Sequence, residues 1–176
     1  YGNPTWSRYE QALAGLEDGE VVLFASGMAA ASALLLTALA PGSAVAMDHG
    51  CYRGVRILAE AHLEPRGVDV RLAPPERLGE VLDGADVLWM ESPSNPKLEV
   101  YDLAALAEAA HAAGAIVVVD NTTAGPLHQK ALGLGADYVL TSATKHLSGH
   151  ADLMLGYLAT ADPGRAQALR DWRTKS

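Results

Sequence analysis

The stretch TSATKHLSGHAD, Thr141 to Asp152, sets Lys145 just past an apolar run, with the hydroxyls of Ser142 and Thr144 immediately before it. An ammonium group held against a low-dielectric wall favours its neutral form, and a neutral amine can form an imine with a carbonyl carbon. Three other stretches carry complementary groups. VVLFAS runs into Ser26, Gly27 and Met28 and then a helical pattern, an order that offers free backbone N–H groups and a positive dipole end to an anion. AIVVVD closes in Asp120, a carboxylate that is costly to bury unpaired. DVLWME leads into SPSNP, whose two prolines stiffen the loop around Asn95. Taken singly, each has a plainer reading: a helix cap for Ser26 and for Asp120, a turn for SPSNP, a solvated side chain for Lys145. The other three lysines take that last reading. Lys97 follows the Ser-Asn-Pro turn, Lys130 is expected on a short polar helix, and Lys175 is next to last.

The elements that must position these groups alternate along the chain. Seven β-branched or aliphatic runs read as strands, at 21–26, 43–48, 68–73, 86–91, 115–120, 138–143 and 153–159. Between most of them lie helical patterns: Met28 to Leu39, stopped by Pro41-Gly42; Tyr52 to His62; Pro75 to Leu82; and Leu103 to Ala113, stopped by Gly114. DVLWME and AIVVVD are apolar throughout rather than alternating, as strands are when helices cover both faces of a parallel sheet. The expected fold is α/β and doubly wound: a mostly parallel seven-stranded sheet with helices on both faces. Ligands of such sheets sit beyond the carboxyl ends of the strands, where all four groups fall. An anion cradle, an acid and a lysine on one edge meet the needs of pyridoxal phosphate. The cradle takes its phosphate, Asp120 keeps its ring nitrogen protonated, and Lys145 takes its aldehyde.

Bulk properties narrow the alternatives. A chain of 176 residues, 49% hydrophobic, can bury one sizeable core and is expected to fold as one domain. Its net charge of -8 and scattered Lys and Arg offer no basic face to nucleic acid. One cysteine, Cys51, excludes an intrachain disulfide and fits a reducing, cytoplasmic setting. The most apolar run, GMAAASALLLTALA, is short of the roughly twenty residues that span a bilayer, so no membrane partner is expected. Metal binding is not expected, since His146 and His150 flank Leu-Ser-Gly and have no further ligands nearby. GLGADY precedes its strand and lacks the third glycine of a dinucleotide site, no Walker A stretch occurs, and FASGM lacks the first glycine of a nucleophile elbow.

YGNPTWSRYEQALAGLE, ASGMAA, ESPSNP, VVVDNT and SATKHLSGHAD occur in that order over nearly the whole chain. Together they closely resemble the Cys/Met-metabolism family of pyridoxal-phosphate enzymes, which includes cystathionine γ-lyases, cystathionine γ-synthases and methionine γ-lyases. The resemblance implies the fold-type I, aspartate aminotransferase-like large domain over residues 1–176. It implies that Gly27 and Met28 give N–H groups to the phosphate, and Ser142 and Thr144 give it hydroxyls. Tyr52 would stack on the ring and assist proton transfer, Asn95 would bond the ring oxygen, Asp120 the ring nitrogen, and Thr122 would pack against the ring. Lys145 would bind the aldehyde, yield it to the substrate amine, and remove the substrate's α-proton.

The chemistry so implied is elimination or replacement at the γ-carbon of a sulfur-containing amino acid. First among the options is cystathionine to cysteine, 2-oxobutyrate and ammonia; γ-synthase and methionine γ-lyase chemistry on the same site are not separated from it. A non-catalytic anion-binding scaffold is the alternative of another class, and the pairing of Lys145 with Asp120 argues against it. Thr123 and His146 stand where the family usually has aromatics, and Ala151 where it has serine. The family also has a Tyr-x-Arg pair just before NPT that reaches a neighbouring subunit, and a C-terminal small domain with an arginine for the substrate carboxylate. Both fall outside this chain, which is expected to be one domain of a longer enzyme, and the resemblance implies a homotetramer of dimers with shared active sites.

Overall fold

In the computed structural model, residues 3–175 are described; Tyr1 and Gly2, which open the first quoted motif, and Ser176 lie outside them. The seven strands are β1 (Glu20–Phe24), β2 (Ala44–Asp48), β3 (Asp69–Ala73), β4 (Val87–Glu91), β5 (Ile116–Asp120), β6 (Tyr138–Thr141) and β7 (Gly156–Thr160). The α-helices are α1 (Pro4–Glu17), α2 (Gly27–Ala38), α3 (Arg53–Leu58), α4 (Leu103–Ala112), α5 (Gly125–His128) and α6 (Pro163–Lys175). One sheet holds all seven strands in the order β1-β7-β6-β5-β4-β2-β3. Only β7 runs antiparallel, to β1 on one side and β6 on the other. The expected doubly wound, mostly parallel α/β fold is what the chain adopts.

Helices cover both faces, and the core is accordingly two slabs rather than one. Val22, Val45, Met47, Trp89 and Val118 point to α2, α3 and α6; Val21, Ala46, Leu88, Met90, Val117 and Val119 point to α1 and α4. Alternate residues of each strand thus enter opposite slabs, which is why β4 and β5 are apolar at every position before their last. Helix α2 buries Ala30, Ala31, Ala33, Leu34 and Leu35, and its alanines let it lie close to the sheet. Side-chain caps start the helices where the sequence provides them. Asn3 accepts from Thr5 N at 2.8 Å, Ser26 from Ala29 N at 3.0 Å and Asp102 from Ala105 N at 3.0 Å.

Several boundaries differ from the sequence reading. The pattern at 52–62 is α-helical only to Leu58 and continues as a π-turn, Ala59–Leu63, and a 3₁₀ turn, Glu64–Arg66, in which Pro65 can give no N–H to the ladder. Pro75–Val81 is 3₁₀, entered through Pro74-Pro75 and weakened by Gly79. Lys130 is not on a helix: it sits between α5 and a 3₁₀ turn, where its ammonium reaches Asp18 at 3.0 Å. The last strand starts at Gly156, three residues later than expected, because Leu153 and Met154 are exposed and Thr144 holds Leu155 outside the sheet ladder. Helices α1 and α6 were not anticipated. Among the described residues, no helix is long and apolar enough to cross a membrane.

Candidate active site

Six parallel strands end on one edge of the sheet, and β7 begins there. A cavity of about 630 Å³ opens on that edge. Gly27, Met28, Tyr52, Asn95, Asp120, Thr122, Ser142, Thr144 and Lys145 all line it, so every sequence-derived candidate converges there. Ser26, Glu91, Pro96, Leu98, Thr123, His146 and Met154 join them.

The anion end depends on two glycines. Ser26 spends its side chain on Ala29 N and its carbonyl on Ala30 N, which leaves the first two N–H groups of α2, those of Gly27 and Met28, for a ligand. A Cβ on Gly27 would stand 2.8 Å from Ser142 Cβ, so glycine alone lets α2 meet the Ser142 hydroxyl. Strand β7 lies between β1 and β6, and a Cβ on its first residue, Gly156, would stand 2.4 Å from Gly27 N and from Ser26 C and O. The loops after β1 and β6 therefore close over β7 only because Gly156 has no side chain. Gly156 was missed by sequence reasoning. A lone glycine inside the apolar run LMLGYLA is the signal, since such a glycine marks a close backbone approach.

The acid end is built by β4 and β5, whose last residues, Glu91 and Asp120, are in register. Asp120 is 5% exposed, and Thr122 N donates to its Oδ1 at 3.0 Å. Burial pushes its carboxyl up to about 6, against the lowering effect of Thr122. Glu91, 3% exposed, accepts from Tyr52 N at 2.5 Å. Burial first, then the neighbouring charge of Asp120, pushes its carboxyl up to about 8, while the Tyr52 N–H opposes the shift. Sequence reasoning passed over Glu91, although it ends an apolar strand just as Asp120 does. Thr122 Oγ1 in turn accepts from Ser142 N at 2.8 Å and ties the acid end to the anion end.

The lysine and the loops around it are held from the main chain. Ser142 O accepts from Lys145 N at 3.1 Å and Lys145 O accepts from Gly149 N at 2.9 Å, a run of turns after β6. The Lys145 side chain is exposed, so within this chain no low-dielectric wall strips its hydration, contrary to the expectation drawn from the strand end. The Thr144 hydroxyl donates to Leu155 O at 3.0 Å and accepts from Leu155 N at 2.9 Å, which fixes the start of β7. Asn95 is exposed at the tip of a loop closed by Ser94 N to Glu99 O, 2.9 Å, with both its X–Pro bonds cis. Asn121, fully buried, and Gln129 bond each other at 2.8 Å, and Gln129 Nε2 reaches Ser92 O at 2.7 Å, locking the β4 loop to the β5 loop. Cys51 is buried beside Asp48 and Glu91, and burial pushes its thiol far above the usual range, so it is a core residue rather than a nucleophile.

These residues fit pyridoxal phosphate. Two free N–H groups beside a hydroxyl form a cradle that a Cβ on Gly27 would fill, and a buried carboxylate faces the same space. The fold and this edge define an α/β domain that brings a lysine, a buried acid and an open helix N-terminus to one cavity. Residues 1–175 match the family described as Cys/Met metabolism PLP-dependent enzyme, and the chain belongs to that family. A Streptomyces coelicolor protein that carries a provisional cystathionine gamma-lyase name is 48% identical over 97% of this chain and 45% of its own length. The L-methionine gamma-lyase of Fusobacterium nucleatum is 39% identical over 97% of this chain and 46% of its own. The crystal structure of a cystathionine gamma-lyase, CalE6, from Micromonospora echinospora superposes with a TM-score of 0.93 at 40% identity, over 99% of this chain and 47% of that one. The chain thus spans less than half the length of these relatives.

Proposed function

We propose that these residues form the cofactor-binding large domain of a pyridoxal-phosphate enzyme that eliminates or replaces a group at the γ-carbon of a sulfur-containing amino acid. Cystathionine γ-lyase chemistry is the reading favoured, with γ-synthase or methionine γ-lyase chemistry on the same site as the alternative, since relatives at 48%, 39% and 39% identity carry the three names. The observation that carries the proposal is the convergence of Lys145, Asp120 and the α2 N-terminus on one cavity.

Each residue has a task that its place in the fold supports. Gly27 and Met28 N–H and the Ser142 hydroxyl hold the phosphate; the Thr144 hydroxyl joins them only if it gives up Leu155 O. Asp120 holds a proton on the ring nitrogen through a charge-assisted bond. Asn95 would bond the ring oxygen, Thr122 would pack against the ring, and Tyr52 would stack on it and assist proton transfer. When bound, the cofactor supplies an electron sink for charge formed at the substrate's α-carbon. Lys145 would hold the cofactor through its amine and, once freed, would serve as the base for the α-proton.

Among the described residues, the cavity lining has no arginine, so the substrate carboxylate requires groups from elsewhere in the full-length protein. The reading is of a cytoplasmic homotetramer whose sites are shared between subunits. Full-length protein assayed with cystathionine should release 2-oxo acid and sediment as a tetramer. Lys145→Ala should lower that release by about a thousandfold or more while the protein stays folded. Turnover retained in Lys145→Ala would refute the proposal.

A further inference from the structure

Tyr52 is the first residue outside α3, and no side-chain bond caps that helix. The segment that leads to it is fastened by two buried carboxyl groups. Asp48 accepts from Gly50 N at 2.7 Å and from Tyr101 Oη at 2.9 Å, which occupies both of its oxygens. Tyr52 N then depends on Glu91 Oε2, at 2.5 Å, from a different strand. Beyond this bond the Tyr52 ring is 46% exposed, and it lies so close over Gly54 that a Cβ there would stand 2.6 Å from its Cε1. The same point is 3.0 Å from Met28 Sδ, so the ring spans from α3 toward the anion end of the cavity.

We propose that Glu91 is a positioning residue of this site: its buried carboxyl group fixes Tyr52 through the main chain and thereby sets where the Tyr52 ring stands over the cavity. The bond needs an acceptor, not a charge. Glu91 lies beside Asp120 and near Asp48, both acidic, and burial and these neighbours together favour its proton-bearing form. A neutral side chain of the same shape should therefore serve. The inference rests on the reading of the cavity as a pyridoxal-phosphate site.

The test uses full-length protein loaded with pyridoxal phosphate, with visible circular dichroism per bound cofactor and cofactor retention on dialysis as readouts. Glu91→Leu removes the acceptor and should lose most of the dichroism and about tenfold in cofactor affinity, as expected for one lost buried hydrogen bond. Glu91→Gln keeps the acceptor and should restore both. In a Tyr52→Ala background the Glu91→Leu change should have no further effect on dichroism, because the ring it positions is gone. Unchanged dichroism in Glu91→Leu, or an undiminished effect without Tyr52, overturns the inference. A Glu91→Gln protein that loses the signal also overturns it, and that variant alone decides the matter if Glu91→Leu does not fold. Wild-type protein that takes up no pyridoxal phosphate overturns the cofactor reading and this inference with it; a wild type that takes it up and an indifferent Glu91→Leu overturn the inference alone.

Discussion

Asp120 is a buried carboxyl whose burial ties its proton to the stability of the fold. Its folded-state carboxyl is raised from 3.8 to about 6, so the folded protein holds that proton where the unfolded chain has released it. The associated stability is complete below pH 3.8 and is lost as pH rises through about 6, on the order of 3 kcal/mol in the cofactor-free protein. Urea unfolding of the cofactor-free protein should show stability falling between pH 4 and 6, with Glu91, also raised, adding to the fall, and Asp120→Asn should make it shallower; an equal decline in the variant would show that the Asp120 carboxyl is not a source. The same variant should still bind cofactor but exchange the substrate's α-proton with deuterated solvent more slowly by about a hundredfold or more. Asp120 was legible in the sequence because a carboxylate ends an otherwise apolar strand. Glu91 carries the same signal at the end of its strand, but its bond to Tyr52 N, a residue far away in sequence, is not legible there. The exposure of Lys145 was not legible, since it depends on how the turns after β6 leave the sheet.

At the scale of elements, the site exists because two loops meet across an intervening strand. Gly156 opens β7 beneath Ser26 and Gly27, and the atoms a Cβ would strike at 2.4 Å are backbone, which cannot rotate away. Gly156→Ala should cost about 3 kcal/mol or more in urea unfolding and lift the α2 N-terminus from Ser142, weakening phosphate and cofactor binding alike. A variant with wild-type stability and affinity would mean the two loops do not close as described. The strands that carry the site were readable from their apolar runs, and six of the seven fall within a residue or two of where the runs place them. The seventh was misplaced because Leu153 and Met154 extend its apolar run yet remain exposed. Helix α6 was missed for the opposite reason: its sequence is mostly polar and buries only Ala166 and Leu169, too few to show a period. Helix α1 shares that weakness, with Leu13 and Glu17 its only buried residues.

For the whole molecule, the order of elements places a lysine, an acid and a helix N-terminus from distant parts of the chain on one sheet edge. That convergence was legible once the runs were read as parallel strands, because the carboxyl ends of such strands must share an edge. The exposure of Leu98 and Met154 at the cavity mouth was not, since it depends on how the loops leave the sheet. On the function proposed, pyridoxal phosphate attaches to Lys145. Borohydride reduction of the full-length, cofactor-loaded protein, followed by peptide mass spectrometry, tests it directly. The expected result is a single phosphopyridoxyl-modified peptide carrying the label on Lys145, absent from Lys145→Ala. A label on any other lysine, or no label in protein that has bound the cofactor, would contradict the assignment.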